Sequence, residues 1–516
     1  MAICRALGTA LVGIEAVIVD VEVDSRQGLP HVQTVGLPDT AVRESEERVR
    51  AAIRNSGFRY PDTRLTVNLA PADLRKAGSR LDLAVAIGIL GIAGAIKRAD
   101  LGDYLLLGEL SLDGALRPVP GALPAALTAR RRGMRGIIVP RENAAEAAAI
   151  GGLAVFAATR LLDVAAHLNG ERLMSPHPPT PPREDPAGDA PDLTEVRGQT
   201  AARRALEIAA AGGHNLLLLG PPGAGKTMLA RRLATILPPL DEAAAIEAAC
   251  VRSAAGDPAL HSGVSTRRPF RAPHHTVSVA GLVGGGPGPR PGEVSLAHHG
   301  VLFLDEMPEF PRATLEGLRQ PLEDGRITIC RASRTLSFPA DFLLVGAMNP
   351  CPCGFRGDPR RDCICGDDVV GRYRSRLSGP LLDRIDLHVE VPPLGYRDML
   401  GGAPGESSAA VRKRVVRARA TQRRRCGPAA RFGRSGRAEA CNARLKPEQV
   451  RQQIEIDADG RLLLERAIQG LGLSARAHDR ILRVARTIAD LEDEGRVLPR
   501  HLAEAIHYRT LDRRLG

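Results

Sequence analysis

The sequence predicts an α/β core built around a phosphate-binding loop, followed by helices and preceded by a separate α+β domain. Three observations point to it. The apolar run Leu216-Leu217-Leu218-Leu219 leads into Gly220-Pro221-Pro222-Gly223-Ala224-Gly225-Lys226-Thr227 and then into helix-forming sequence. A second apolar run, Val301-Leu302-Phe303-Leu304, ends in Asp305-Glu306, and a third, residues 342–348, ends in Asn349. Upstream of a proline-dense stretch, strand-like and helix-like runs are interspersed over residues 1–170.

In that first domain the strand-like runs are residues 14–23, 64–69, 104–107 and 136–139, and the helical runs 40–56, 81–93, 122–132 and 143–149. Residues 171–192 are rich in Pro and lack a hydrophobic period, so they read as a linker. The nucleotide-binding module is expected over 193–395. An arginine-rich connecting segment, 396–445, follows, with its arginines crowded at 411–425. In 446–516, Leu462, Leu463, Leu464 and Ile468, then Ile481, Leu482, Val484, Ala485 and Ile488, recur at helical spacing and predict a small bundle.

At 516 residues the chain can bury several cores. Its formal net charge of +12 favours an anionic partner, nucleic acid first. Residues 83–96, the longest apolar stretch, are too few to span a bilayer, and no secretory pattern opens the sequence. Nine cysteines, four of them clustered, suit a reducing compartment, so a cytoplasmic location without membrane contact is expected.

Residues 220–227 form the pattern G-x-x-x-x-G-K-[ST] between a strand and a helix, the context in which backbone N–H groups wrap phosphates. Lys226 would reach the β/γ-phosphates of ATP, and the Thr227 hydroxyl would ligate Mg²⁺. Asp305 would hold that Mg²⁺, Glu306 would orient the attacking water, and the Asn349 amide would sense the γ-phosphate. Arg384, in Leu381-Leu382-Asp383-Arg384-Ile385-Asp386, suits a finger offered to a neighbouring subunit's γ-phosphate, with a surface salt bridge to Asp383 or Asp386 as the alternative. Cys351, Cys353, Cys363 and Cys365 form C-x-C-x₉-C-x-C in polar sequence, a pattern suited to a structural Zn²⁺ with no open position; four reduced thiols are the alternative. Residues 326–331 and 334–338 alternate like a β-hairpin, with Arg331 and Arg334 at its tip as candidate DNA contacts.

From residue 196 onward the chain resembles the magnesium-chelatase-like AAA+ ATPases, and within them the ComM/YifB proteins. The strings that carry the likeness are RPFRAPHHTVSVAGLVGGG at 268–286, PGEVSLAHHGVLFLDEMPEF at 291–310, AMNPCPCG at 347–354 and RLSGPLLDRIDLHVEVP at 376–392. The resemblance implies sensor 1 at Asn349, an arginine finger at Arg384 and the sensor 2 arginine of a helical lid at Arg476. It implies a pore-lining insertion within 266–292, where His274 and His275 become further candidate DNA contacts. Residues 1–168 resemble the Lon-protease/ribosomal-S5 fold, but Pro124 stands where Lon-type proteolysis needs its lysine. Ser79 fits the serine motif only with a one-residue shift, so a non-proteolytic domain is expected. The function implied is that of a hexameric DNA motor, a helicase for branch migration during natural transformation, acting on single-stranded or branched DNA. Metal insertion of the chelatase type and ATP-dependent proteolysis are the alternatives.

Overall fold

The computed structural model describes residues 3–37, 39–76, 78–97, 100–184, 191–286, 290–330, 335–393, 405–427, 441–472 and 474–511. The chain divides into two units, residues 1–184 with 241–266, and residues 185–240 with 267–516.

The first unit is built on a seven-stranded mixed sheet. Its strands are β1 (Ile3–Val12), β2 (Glu15–Arg26), β3 (His31–Val35), β4 (Arg64–Ala70), β5 (Asp100–Leu106), β6 (Gly136–Pro140) and β7 (Ala154–Ala158). The order across the sheet is β3-β4-β2-β1-β5-β6-β7. β1 pairs antiparallel with β2 and parallel with β5. The helix Asp82–Ile92 is apolar on every side and is buried against β1 and β2. It comes close because Gly88 and Gly91 face the sheet: a Cβ on them would stand 2.7 Å from Val23 Cγ2 and 2.3 Å from Cys4 Sγ. Ser79 donates its hydroxyl to the Glu109 carboxylate, and Pro124 is buried in the first turn of the helix Ala122–Arg131.

Two expectations shift here. Residues 241–266 group with the first unit rather than with the nucleotide-binding module. The alanine-rich helix Glu242–Ala255 packs on the helix Ala122–Arg131, where small side chains permit close approach, and Ser253 O accepts the Gly121 N–H at 2.8 Å. The proline-dense stretch is not a free linker up to Glu184. It runs along the same unit, with His177 N donating to Val155 O at 2.7 Å and Thr266 N to Arg183 O at 2.9 Å.

The second unit holds a five-stranded parallel sheet: β8 (Leu216–Leu219), β9 (Phe270–Arg271), β10 (Val301–Leu304), β13 (Leu343–Met348) and β14 (Leu387–Glu390) in the order β9-β10-β13-β8-β14. β8 is an interior strand, pairing Leu216 with Val345 on one side and with Leu387 on the other, and all four of its leucines are buried. Such continuous apolar strands belong to sheets covered on both faces. β11 (Arg326–Cys330) and β12 (Thr335–Pro339) form the expected antiparallel hairpin; Arg331 and Arg334, the expected DNA contacts, lie outside the described residues.

The arginine-rich segment contains the helix Ser408–Cys426, packed on the helices Thr200–Gly212, Lys226–Ile236 and Ala475–Leu491. Val411, Val415, Ala418 and Gln422 form its buried stripe. Several of its arginines serve the fold: Arg412 donates to Thr235 O at 2.8 Å, Arg419 to Ala210 O at 2.8 Å, and Arg414 pairs with Glu207 and Glu406. The tail forms the expected helices, Pro447–Gln453, Ala458–Leu471, Ala475–Leu491 and Pro499–His507. Among the described residues no helix is long and apolar enough to cross a membrane.

Candidate nucleotide site and cysteine centre

The phosphate-binding loop follows β8 at its carboxyl end, where ligands bind in open α/β sheets. Gly223 and Gly225 take φ of +75° and +86°, which side-chain-bearing residues rarely adopt, and Gly225 caps the helix Lys226–Ile236. The loop's N–H groups and the helix N-terminus together form an anion cradle. Lys226 is nearly buried; its ammonium donates to Gly220 O at 2.6 Å, Pro221 O at 3.0 Å and Asn349 Oδ1 at 3.0 Å. Burial lowers its pKa, while the charges of Asp305 and Glu306 act in the opposite direction.

Thr227 donates its hydroxyl to Asp305 Oδ2 at 2.6 Å. Two oxygens so close suit neighbouring positions around Mg²⁺, whose ligand distance of about 2.1 Å sets an octahedral edge of about 3.0 Å. Glu306 adopts φ +50°, a left-handed conformation that is costly outside glycine, at the turn between β10 and the 3₁₀ segment Met307–Glu309. His275 Nδ1 lies 3.9 Å from Glu306 Oε2, and the His274 and His275 ring centroids are 4.0 Å apart. The structure thus sets His275 beside the carboxylate expected to orient water.

Gln199 was not singled out by the motif. Its Nε2 donates to Ala224 O at 2.6 Å, while its Oε1 is buried and has no partner among the described residues. That orphaned acceptor beside the loop fits a nucleotide N–H donor. The signal available in sequence was a Gly198-Gln199 turn directly before a helix.

Arg384 and Arg476 do not join this group. Asn215, immediately before β8, accepts the Leu344 N–H at 2.9 Å and donates to Arg384 O at 2.9 Å. Arg384 therefore sits at the end of β8 opposite the loop, about 13 Å away for four residues of strand. Its partner is Glu323, not Asp383 or Asp386, and its Nη1 also donates to Pro380 O at 2.7 Å. Asp386 is taken instead by Arg480, at 2.6 Å, and by the buried His214, at 3.2 Å. One turn before Arg480, Arg476 is exposed on the same side; the Arg384 hydrogen bond depresses the Glu323 pKa, and the charges of Arg384, Arg476 and Arg480 add to that effect. The two arginines thus share a face away from their own chain's loop.

The four cysteines converge. Cys351 Sγ lies 3.3 Å from Cys353 Sγ and 3.6 Å from Cys363 Sγ, and all four sulfurs fall within 4.8 Å of one another. A tetrahedral Zn²⁺ with bonds of about 2.3 Å separates its sulfurs by about 3.8 Å, so the donor set fits. The Phe355 N–H, helped by the Ile364 N–H and neighbouring thiols against desolvation, pulls the Cys353 thiol down to about 6.

The family model "Magnesium chelatase, subunit ChlI" matches residues 192–399, "Subunit ChlI of Mg-chelatase" matches 21–143, and "Magnesium chelatase, subunit ChlI C-terminal" matches 405–509. The YifB protein of Salmonella typhimurium is 45% identical over 509 residues, covering 98% of this chain and 97% of its own. The competence protein ComM of Haemophilus influenzae is 44% identical over 521 residues, covering 100% and 99%. A shorter likeness, 27% over 123 residues and 22% of each chain, is to Lon protease 2 of Bacillus subtilis. The chain belongs to the ComM/YifB family. Membership among magnesium-chelatase-like ATPases implies ATP and Mg²⁺ as cofactors, and the Thr227–Asp305 pair and the Lys226 cradle are suited to them.

Proposed function

We propose that this ComM/YifB protein is a ring-forming ATPase that drives DNA strands through branch migration, in recombination of incoming single-stranded DNA during natural transformation. One observation supports the ring above all. Lys226, Thr227, Asp305 and Asn349 meet at one end of β8, whereas Arg384 and Arg476 lie at the other. A complete hydrolytic site therefore needs a second copy whose Arg384 faces the γ-phosphate, a heterologous contact that closes into a ring, here a hexamer.

In such a site Lys226 neutralises β/γ-phosphate charge, and Thr227 with Asp305 holds Mg²⁺, which polarises the phosphate oxygens. Glu306 orients water, and Asn349 reports the γ-phosphate to its strand. The net charge of +12 and the β11–β12 hairpin, with Arg331 and Arg334 expected at its tip, support DNA as the substrate gripped through its backbone. Residues 1–170 act as a non-proteolytic Lon/S5-like scaffold, since Ser79 engages Glu109 rather than an amine. The C-terminal helices act as the lid that offers Arg476, and the cysteines hold a structural Zn²⁺. The protein works in the cytoplasm.

The test is strand displacement on a three-stranded DNA substrate by purified protein with Mg-ATP. Wild type displaces the strand and Lys226→Ala does not. Arg331→Glu with Arg334→Glu loses DNA-stimulated turnover and keeps basal hydrolysis. Normal displacement by that double variant would remove the hairpin from the mechanism.

A further inference from the structure

The cysteine centre lies close to the ATP site in both sequence and space. Cys351 follows Asn349 by two residues, and Asn349 Oδ1 accepts the Lys226 ammonium at 3.0 Å. Gly354, at φ +86°, brings the same loop against the phosphate-binding loop: a Cβ there would stand 2.6 Å from Pro222 Cδ. Between these points Arg374 clamps Pro350 O with Nε at 3.2 Å and Nη2 at 3.1 Å, and Gly354 N donates to Cys351 O at 3.0 Å. Tyr373, on the helix Asp367–Arg374 beside this loop, is buried. The far arm of the loop, by contrast, has little apolar anchorage, with Ile364 exposed. Arg356 pairs with Asp367 at 2.8 Å and Arg361 lies over the Phe355 ring, and four thiolates on a shared ion would add a four-point tie that closes this arm onto the arm that carries Asn349.

We propose that Zn²⁺ on Cys351, Cys353, Cys363 and Cys365 is a positioning element of the ATPase centre. It holds Asn349 against Lys226 and seats Gly354 under Pro222, so its loss slows hydrolysis more than it weakens nucleotide binding. This rests on the zinc and ATPase readings above, and the experiment separates the three. Outer partners of a reacting centre typically matter by about 10–100-fold.

The full-length protein is purified with zinc supplied, its metal content is measured, and kcat, KM and the Kd for a fluorescent ATP analogue are compared before and after stripping. The expected result is one zinc per chain, a kcat at least about 10-fold lower after stripping, a Kd changed by less than about 3-fold, and recovery when Zn²⁺ returns. Co²⁺ in place of zinc should show the thiolate-to-cobalt absorption of a four-sulfur site. Cys363→Ser should behave as the stripped protein. Should that variant fail to fold, Gly354→Ala leaves every thiol in place, and it should retain zinc while kcat falls. Zinc present with unchanged kcat after stripping overturns the coupling. Absence of zinc and cobalt binding overturns the metal reading, and absence of turnover in the wild type overturns the ATPase reading.

Discussion

Lys226 shows how one side chain ties three parts of the site together. Its ammonium touches the loop carbonyls of Gly220 and Pro221 and the Asn349 amide, so it orders the loop and the neighbouring strand end. Lys226→Ala removes all three bonds and the phosphate counter-charge, and hydrolysis should fall at least about 100-fold, measured as phosphate release. Glu306→Gln tests a different property. It keeps the side chain's size but removes the charge that polarises water, so ATP should bind with nearly unchanged affinity while turnover falls about 100-fold. Equal losses of binding and turnover would mean that Glu306 shapes the pocket instead. At this scale the motif residues were legible because phosphate binding imposes a fixed spacing. Gln199 was not, because its contact with Ala224 joins residues 25 apart through a single amide and leaves no pattern. The Arg384 partner was missed for a similar reason: Glu323 comes from a distant element.

At the level of elements, the network around Asp386 fastens the C-terminal helices to the sheet. Asp386, immediately before β14, binds Arg480 at 2.6 Å and His214 at 3.2 Å, and His214 Nε2 reaches Thr487 at 2.8 Å. Arg480 and Thr487 both belong to the helix Ala475–Leu491, so one carboxylate joins that helix to the strand. Asp386→Ala leaves buried donors unpaired and should destabilise the second unit by about 3–5 kcal/mol in chemical denaturation. The charges of Arg480 and His214 outweigh burial and hold the Asp386 pKa below the usual carboxylate range. Its contribution is therefore fully present above about pH 4 and is lost as pH falls through the depressed folded value. Asp386→Asn should flatten that acid limb, and an unchanged limb would exclude Asp386 as its source. The strands β8, β10 and β13 were readable as apolar runs, and the tail as helical spacing. The helix Ser408–Cys426 was obscured by its arginines, although Val411, Val415, Ala418 and Gln422 keep a helical period. The helix Glu242–Ala255 could not be assigned to the first unit, because an alanine face fits many neighbours and names none.

For the whole molecule, the placement of Arg384 makes a claim about assembly that single-protein assays cannot resolve. Arg384→Ala alone should cost about 1,000-fold in hydrolysis if it supplies the trans-acting cation, but a misfolded site would also lose activity. Mixing separates the cases. A chain with Lys226→Ala has a dead loop and an intact Arg384; a chain with Arg384→Ala has the reverse. In a ring assembled from equal amounts, a site works when an intact loop meets a neighbour's intact arginine, so random assembly should restore about a quarter of wild-type turnover. If Arg384 served its own chain's loop, every subunit in the mixture would carry one fatal defect and the mixture would stay inactive. The strand that separates Arg384 from Lys226 argues for the first outcome, since a folded β8 keeps the two at opposite ends of the sheet. Activity should therefore appear on mixing, rise with protein concentration as rings form, and vanish again when Asn349→Ala is added to the chain that keeps its loop intact.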